Sequence, residues 1–298
     1  MVNAMEGLKI GDIVGRKSYG CDVLFKVTDI KKAGNETIAT LKGITYRIEA
    51  DAPESDLIVQ SRNKIEEYTR RMDRNVEIVE KRVRRPSNNT YMRSAYLKKA
   101  RFRDTSKDEK KSFLKFGKIL HVDGDEGYLD ICLKEYNKFG ITAVGKYLPE
   151  KDQPSRVIAL LETYRPDILV LTGHDGLLKN HENLLDLASY RNSRYFAEAV
   201  RAARKYEADM DSLVIFAGAC QSYYAELIKS GANYASSPER QLIHALDPVL
   251  VCIKFAMTKI DKVLEPYDIV AATITGEKGI GGVATRGRAR EGYPTDKS

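Results

Sequence analysis

Two side chains able to do chemistry close the two most apolar stretches of the chain: His174 follows the run DILVLTG and Cys220 follows SLVIFAGA. A thiol must become a thiolate to attack a carbonyl, and free cysteine, with a pKa of about 8.5, is mostly protonated at neutral pH. An imidazole nearby removes that proton and can return it to a departing amine, so a Cys-His pair suffices for amide hydrolysis. Taken alone, a cysteine after a buried strand is a small core residue and a histidine after glycine is a turn residue. Their shared position at strand ends, where open α/β sheets place reactive groups, favours the chemical reading. Cys132 and Cys252 fall in apolar helical stretches and Cys21 in a turn, so these three read as structural. His121 lies within a strand, and His181 and His244 lie in stretches read as helix. With no C-x-x-C pair and no histidines spaced i, i+4, neither a disulfide framework nor a metal site is expected, and no cofactor is called for.

The elements that must position this pair are legible as a strand-helix alternation after Gly117. KILHVD (118–123), ITAVGKYL (141–148), DILVLTG (167–173), SLVIFAG (212–218) and ANYASSP (232–238) read as strands. Residues 127–139, 154–165, 193–208, 223–230 and 238–256 read as helices, the last with Ser237 as N-cap and Pro238 in its first turn. Continuous apolar runs suit parallel strands buried on both faces, so the expectation is a doubly wound, mostly parallel α/β sheet over 118–298. Residues 1–60 alternate in short runs broken by Gly and Asn turns and read as a small SH3-like β-barrel of about five strands. Between them, 61–117 reads as a basic helical linker, with Ile65, Tyr68, Met72, Val76 and Val79 on one face and a break near Pro86. The Gly-rich segment 275–294 reads as a loop over the site or as a disordered tail.

The 298 residues carry a net charge of +7, and 61–117 alone holds 18 Lys/Arg against 8 Asp/Glu, which leaves −3 for the rest. A nucleic-acid patch is one reading of that segment, but interspersed acids and the lack of a binding motif argue against it. No run reaches the roughly 18 apolar residues of a membrane span, and the N-terminus lacks a secretory pattern, so an intracellular protein without a membrane partner is expected.

A strand ending in His followed by one ending in Ala-Cys resembles the caspase-like cysteine peptidases. More closely, IGDIVGRKSYGCDVLFKV, LTGHDG, FAGACQSYYAELIKSGANYASSPERQLIHALDPV and TGEKGIGG resemble the YabG-type sporulation peptidases, over about Leu8 to Pro294. The resemblance implies that Cys220 is the nucleophile and His174 the general base and acid. The oxyanion would be met by the Cys220 backbone N–H and by an amide just after His174, from Asp175 or Gly176; one such donor is typically worth about 10²- to 10³-fold in rate. The broader pattern is His-Gly, and Asp175 intervenes here, where it could instead orient His174.

The resemblance also implies cleavage after arginine in spore-coat and related proteins, in the cytoplasm of the mother cell or forming spore. A dry pocket for guanidinium needs a carboxylate. In caspase-like enzymes that group often follows the first strand, where Asp123 and Asp125 stand; solvated turn carboxylates are the plainer reading. Self-cleavage in the linker, at Arg70-Arg71, Arg84-Arg85 or Arg101, is a further expectation. Two rivals remain: a non-catalytic nucleic-acid or coat-scaffold binder, and a glutamine amidotransferase-like hydrolase, in which the histidine follows the cysteine and only His244 could serve.

Overall fold

A computed structural model describes residues 7–85, 113–178 and 183–293. The alternating N-terminal runs form β1 (Ile13–Arg16), β2 (Leu24–Ala33), β3 (Glu36–Gly43), β4 (Glu49–Pro53) and β5 (Leu57–Val59). They make an antiparallel sheet of order β4-β3-β2-β1-β5, whose inward residues Val14, Phe25, Val27, Ala39 and Leu41 build a core of their own. Helix α1 (Arg62–Arg84) follows, with Ser61 at its N-cap accepting from the Lys64 N–H. Its apolar face buries Tyr68, Met72, Val79 and Val83, as the spacing predicts. It stops two residues before Pro86, which disfavours helical backbone in the residue it follows. Arg70 and Arg71 are exposed, as expected, but lie inside a regular helix; Arg101 lies outside the described residues.

The second sheet begins after the short strand β6 (Phe113–Lys115). It is built through β7 (Ile119–Asp123), α2 (Glu126–Lys138), β8 (Ala143–Tyr147), α3 (Gln153–Tyr164), β9 (Ile168–Thr172), α4 (Ser193–Tyr206), β10 (Val214–Ala217), α5 (Tyr224–Lys229) and β11 (Tyr234–Ser236). Then come α6 (Asp247–Met257), β12 (Val263–Leu264), α7 (Pro266–Val270), β13 (Ile280–Gly282), β14 (Thr285–Arg286) and β15 (Arg290–Gly292). The order is β13-β11-β10-β9-β7-β8, parallel throughout except for the antiparallel edge strand β13. Both faces are covered, which is why the strands are apolar without alternation. Ile119, Ile168, Val170 and Phe216 pack with α2 and α6, while Leu120, Leu169, Leu171 and Ile215 pack with α3, α4 and α5.

Two expectations need correction. The last long helix opens at Asp247-Pro248, nine residues later than expected, and Ser237 donates its hydroxyl to the Gln241 carbonyl instead of capping. The reason is tertiary: residues 243–245 are drawn out as extended chain against residues 45–47, so His244 is not helical. The Gly-rich segment supplies β13, β14 and β15, pairing with β11, β12 and β6, so residues 280–292 are neither tail nor loose loop. No helix among the described residues is long and apolar enough to cross a membrane.

Candidate active site

His174 leaves β9 with its backbone clamped at both ends. Its N–H donates to Glu150 Oε1 at 2.6 Å and its carbonyl accepts from Asn192 Nδ2 at 2.8 Å. A Cβ at Gly124 or Gly173 would stand 2.2 Å from the Glu150 carboxylate, so these glycines make room for it. On the ring, Nε2 shares a 2.8 Å hydrogen bond with Asp125 Oδ2, while Nδ1 is buried with no partner among the described residues. Asp125 is itself fixed, as the N-cap of α2 accepting from the Tyr128 N–H at 2.9 Å and as the partner of Lys42 Nζ at 2.6 Å. Burial opposes its charge, but His174, Lys42 and the Tyr128 amide outweigh burial and hold the carboxyl below the usual carboxylate range. An ionised carboxylate only accepts, so Nε2 carries the ring proton and Nδ1 presents its lone pair.

β10 lies beside β9, with Ala217 in register with Leu171, so His174 and Cys220 leave adjacent strands at one rim. The two turns are tied together. Asp175 Oδ2 accepts from Ser222 Oγ at 2.8 Å and from Ser193 Oγ at 2.5 Å, and Ser222 Oγ accepts from the Ala219 N–H at 2.9 Å. The Asp175 carboxylate thus joins the loops, and the imidazole bonds to Asp125 instead, contrary to the orienting role considered for Asp175. The Gly176 N–H donates to Asp175 Oδ1 at 2.9 Å, which engages one of the amides considered for the oxyanion.

Cys220 is only 1% exposed, and its sulfur accepts from the Ile243 N–H at 3.2 Å. Burial pushes the thiol up to about 12, against the opposing pull of the Ile243 amide and the Arg47 charge. In this arrangement the group is a thiol, not a thiolate. An open cleft of about 550 Å³ reaches His174 between Lys42, Glu49, Asp125, Tyr147 and Asn192, while Cys220 lies beyond its lining.

The two candidate pocket carboxylates separate. Asp125 serves His174, whereas Asp123 is wholly buried and ion-paired with Arg47, also wholly buried, at 2.8 Å. The guanidinium further contacts Cys132 Sγ at 3.2 Å and the Ala245 carbonyl at 3.3 Å, and lies 5.1 Å from the Tyr128 ring centre. Burial disfavours both charges, but mutual attraction outweighs it, raising Arg47 and holding Asp123 well below the usual range. Beside them, burial lowers His121, whose ring bonds Tyr136 and Thr172 hydroxyls.

Among the described residues, two groups have metal-ligand spacing. His121, Asp123 and Cys132 surround the Arg47 guanidinium, so a cation of the chain's own fills that place. Glu49, Asp125 and His174 meet at the cleft, where Lys42 already neutralises Asp125.

Cys132 and Cys252 are buried in the core and Cys21 sits in a turn at φ +55°, as expected. His244 is buried beside the site, with its pKa lowered to about 4 by burial and then by the Arg47 charge. His181 lies outside the described residues. The sequence reading missed Lys42, Arg47, Tyr128, Glu150 and Asn192. Only the Asp125 cap carried a local signal, an aspartate immediately before a helix.

Comparison with known proteins shows the family of the chain. The family model described as YabG peptidase U57 matches residues 9–294. The chain is similar to the sporulation-specific protease YabG of Bacillus subtilis (strain 168), 41% identical over 295 residues, covering 96% of this chain and 98% of that protein.

Proposed function

This chain belongs to the YabG peptidase family, and from that premise we propose that it is a cysteine endopeptidase of sporulation that cleaves proteins after arginine through Cys220 and His174. The observation that carries the reading is the division of the imidazole: Nε2 is held by Asp125, and Nδ1 is buried, with no partner among the described residues, on the rim shared with Cys220. A lone pair so placed suits proton transfer from a thiol.

In the reaction, Nδ1 takes the Cys220 proton as sulfur attacks the scissile carbonyl. The oxyanion is met by the backbone N–H of Cys220 and that of Asp175. Collapse of the tetrahedral species sends the proton from Nδ1 to the departing amine, and water then releases the acyl group from sulfur. Asp125 keeps the ring in one tautomer and stabilises the imidazolium, as a positioning residue. Asp123 reads the arginine: a buried, ionised carboxylate accepts a guanidinium and leaves a neutral side chain facing an unpaired charge.

Spore-coat proteins are the proposed substrates, cut in the mother cell or forming spore. The chain is proposed to cut itself as well; of the linker arginines, Arg84-Arg85 stand at the end of α1, where the chain leaves the helix. A fluorogenic peptide amide ending in arginine tests the activity. Cleavage lost in both Cys220→Ala and His174→Ala supports the dyad, and cleavage retained by either removes it. Incubating the purified chain beside Cys220→Ala tests self-cleavage, which is refuted if both stay intact.

A further inference from the structure

We propose that Thr45-Tyr46-Arg47 is an internal ligand of the substrate cleft, with Arg47 occupying the pocket meant for the substrate arginine and holding the enzyme closed. This rests on the peptidase reading above and adds its regulation.

Three observations converge. First, Arg47 belongs to the N-terminal sheet region, yet its guanidinium is buried against Asp123 in the α/β domain. A buried ion pair is weak support for stability compared with apolar packing, so its presence asks for another use. One guanidinium nitrogen, Nη1, is buried without a partner among the described residues, so the pocket is filled but not satisfied.

Second, the backbone of this segment docks as a short antiparallel strand, the way peptides add to an exposed edge. The Arg47 N–H donates to the Ile243 carbonyl at 3.1 Å, and the Thr45 carbonyl accepts from the Ala245 N–H at 2.8 Å, with Tyr46 opposite His244. Alternate residues, Thr45 and Arg47, thus bond to this extended stretch, and the Arg47 guanidinium runs on to Asp123. Ile243 holds both partners, giving its N–H to Cys220 Sγ and its carbonyl to Arg47. A substrate arginine bound this way would bring its own carbonyl toward the nucleophile.

Third, the chain turns away at once. The Ile48 N–H folds back to the Tyr46 carbonyl at 2.9 Å, and the Gly43 N–H takes the Ile48 carbonyl at 2.9 Å. The Tyr128 hydroxyl lies 2.7 Å from the Gly43 carbonyl and 2.6 Å from that of Tyr46, fastening the base of the turn. An extended substrate would run on past the sulfur; this segment blocks the site and leaves.

The full-length chain, Arg47→Ala and Cys220→Ala are compared on an acyl-Tyr-Arg fluorogenic amide. Removing the occupant should raise kcat/KM at least about tenfold, since a cleft open only part of the time binds more weakly by that fraction. A folded Arg47→Ala that cleaves no faster than the parent overturns the internal-ligand proposal and leaves the peptidase reading standing. No cleavage by the parent or by Arg47→Ala removes the peptidase reading and this proposal with it. Should Arg47→Ala fail to fold, hydrogen exchange decides in full-length Cys220→Ala: saturating acyl-Tyr-Arg-amide should speed exchange of the Arg47 amide at least about tenfold. Unchanged exchange with the peptide bound overturns the proposal.

Discussion

The buried Asp123–Arg47 pair, which is the proposed floor of the arginine pocket, and the rim of the cleft meet at the end of β7, where two aspartates stand two positions apart in opposite surroundings. Asp123 points inward to a dry site and faces a guanidinium. Asp125 points to the open cleft, caps α2 and is shared by an imidazole and an ammonium. Both are held ionised against burial: Asp123 by Arg47, with His121, the Thr172 hydroxyl and the Asp125 N–H beside it, and Asp125 by His174, Lys42 and the Tyr128 amide. The selecting role proposed for Asp123 needs dryness, because only there does a missing partner cost enough to discriminate. In its proposed role Asp125 orients the imidazole, and its fixed place at the cap of α2 sets the direction of that bond.

Substitutions can break this division, and the largest effect is expected at the floor. Asp123→Asn should lower kcat/KM on arginine peptides by about 10²- to 10⁴-fold, and should cost about 3–5 kcal/mol of stability by leaving Arg47 buried and unpaired. Cleavage rates and a urea midpoint check both. At the rim, Asp125→Asn should lower kcat by about 10²-fold or more with KM nearly unchanged, because the imidazole loses its fixed tautomer. Asparagine still caps a helix, so the urea midpoint should move little; a large shift would make Asp125 structural first.

Acid sharpens the contrast. Asp123 has a folded pKa below its ordinary value of 3.8, so its contribution is complete above that pH and is lost as pH falls toward the folded value. The stability gap between the parent and Asp123→Asn should therefore shrink by about 1.4 kcal/mol per pH unit below 3.8. Urea midpoints at pH 7 and pH 3 measure it, and a constant gap would mean that Asp123 is not the ionised partner of Arg47. The smallest effect is expected at Lys42, whose ammonium is partly exposed beside Asp125. Lys42→Ala should change stability by less than about 1 kcal/mol.

Most strands and helices of the α/β domain were legible because each has its own signature: an unbroken apolar run for a strand covered on both faces, an apolar stripe for a helix covered on one. That His174 and Cys220 leave neighbouring strands at one rim was legible because both follow such runs. The start of α6 was misplaced because Ser237-Pro238 has the form of a helix start while pairing to residues 45–47 holds the next stretch extended. The Gly-rich C-terminal segment was misread because its three short strands lack a pattern of their own and form only against β11, β12 and β6.

Local pattern alone determined the strand ends and the residues that stand on them, since periodicity and apolar run length act within a few positions. The different partners of Asp123 and Asp125 were decided by tertiary structure, which brings Arg47 to one and His174 to the other. Those partners lie 76 and 49 positions away along the chain. A charge pair is made by proximity in space, and two aspartates that read alike in one turn take their roles from what the fold places in front of each.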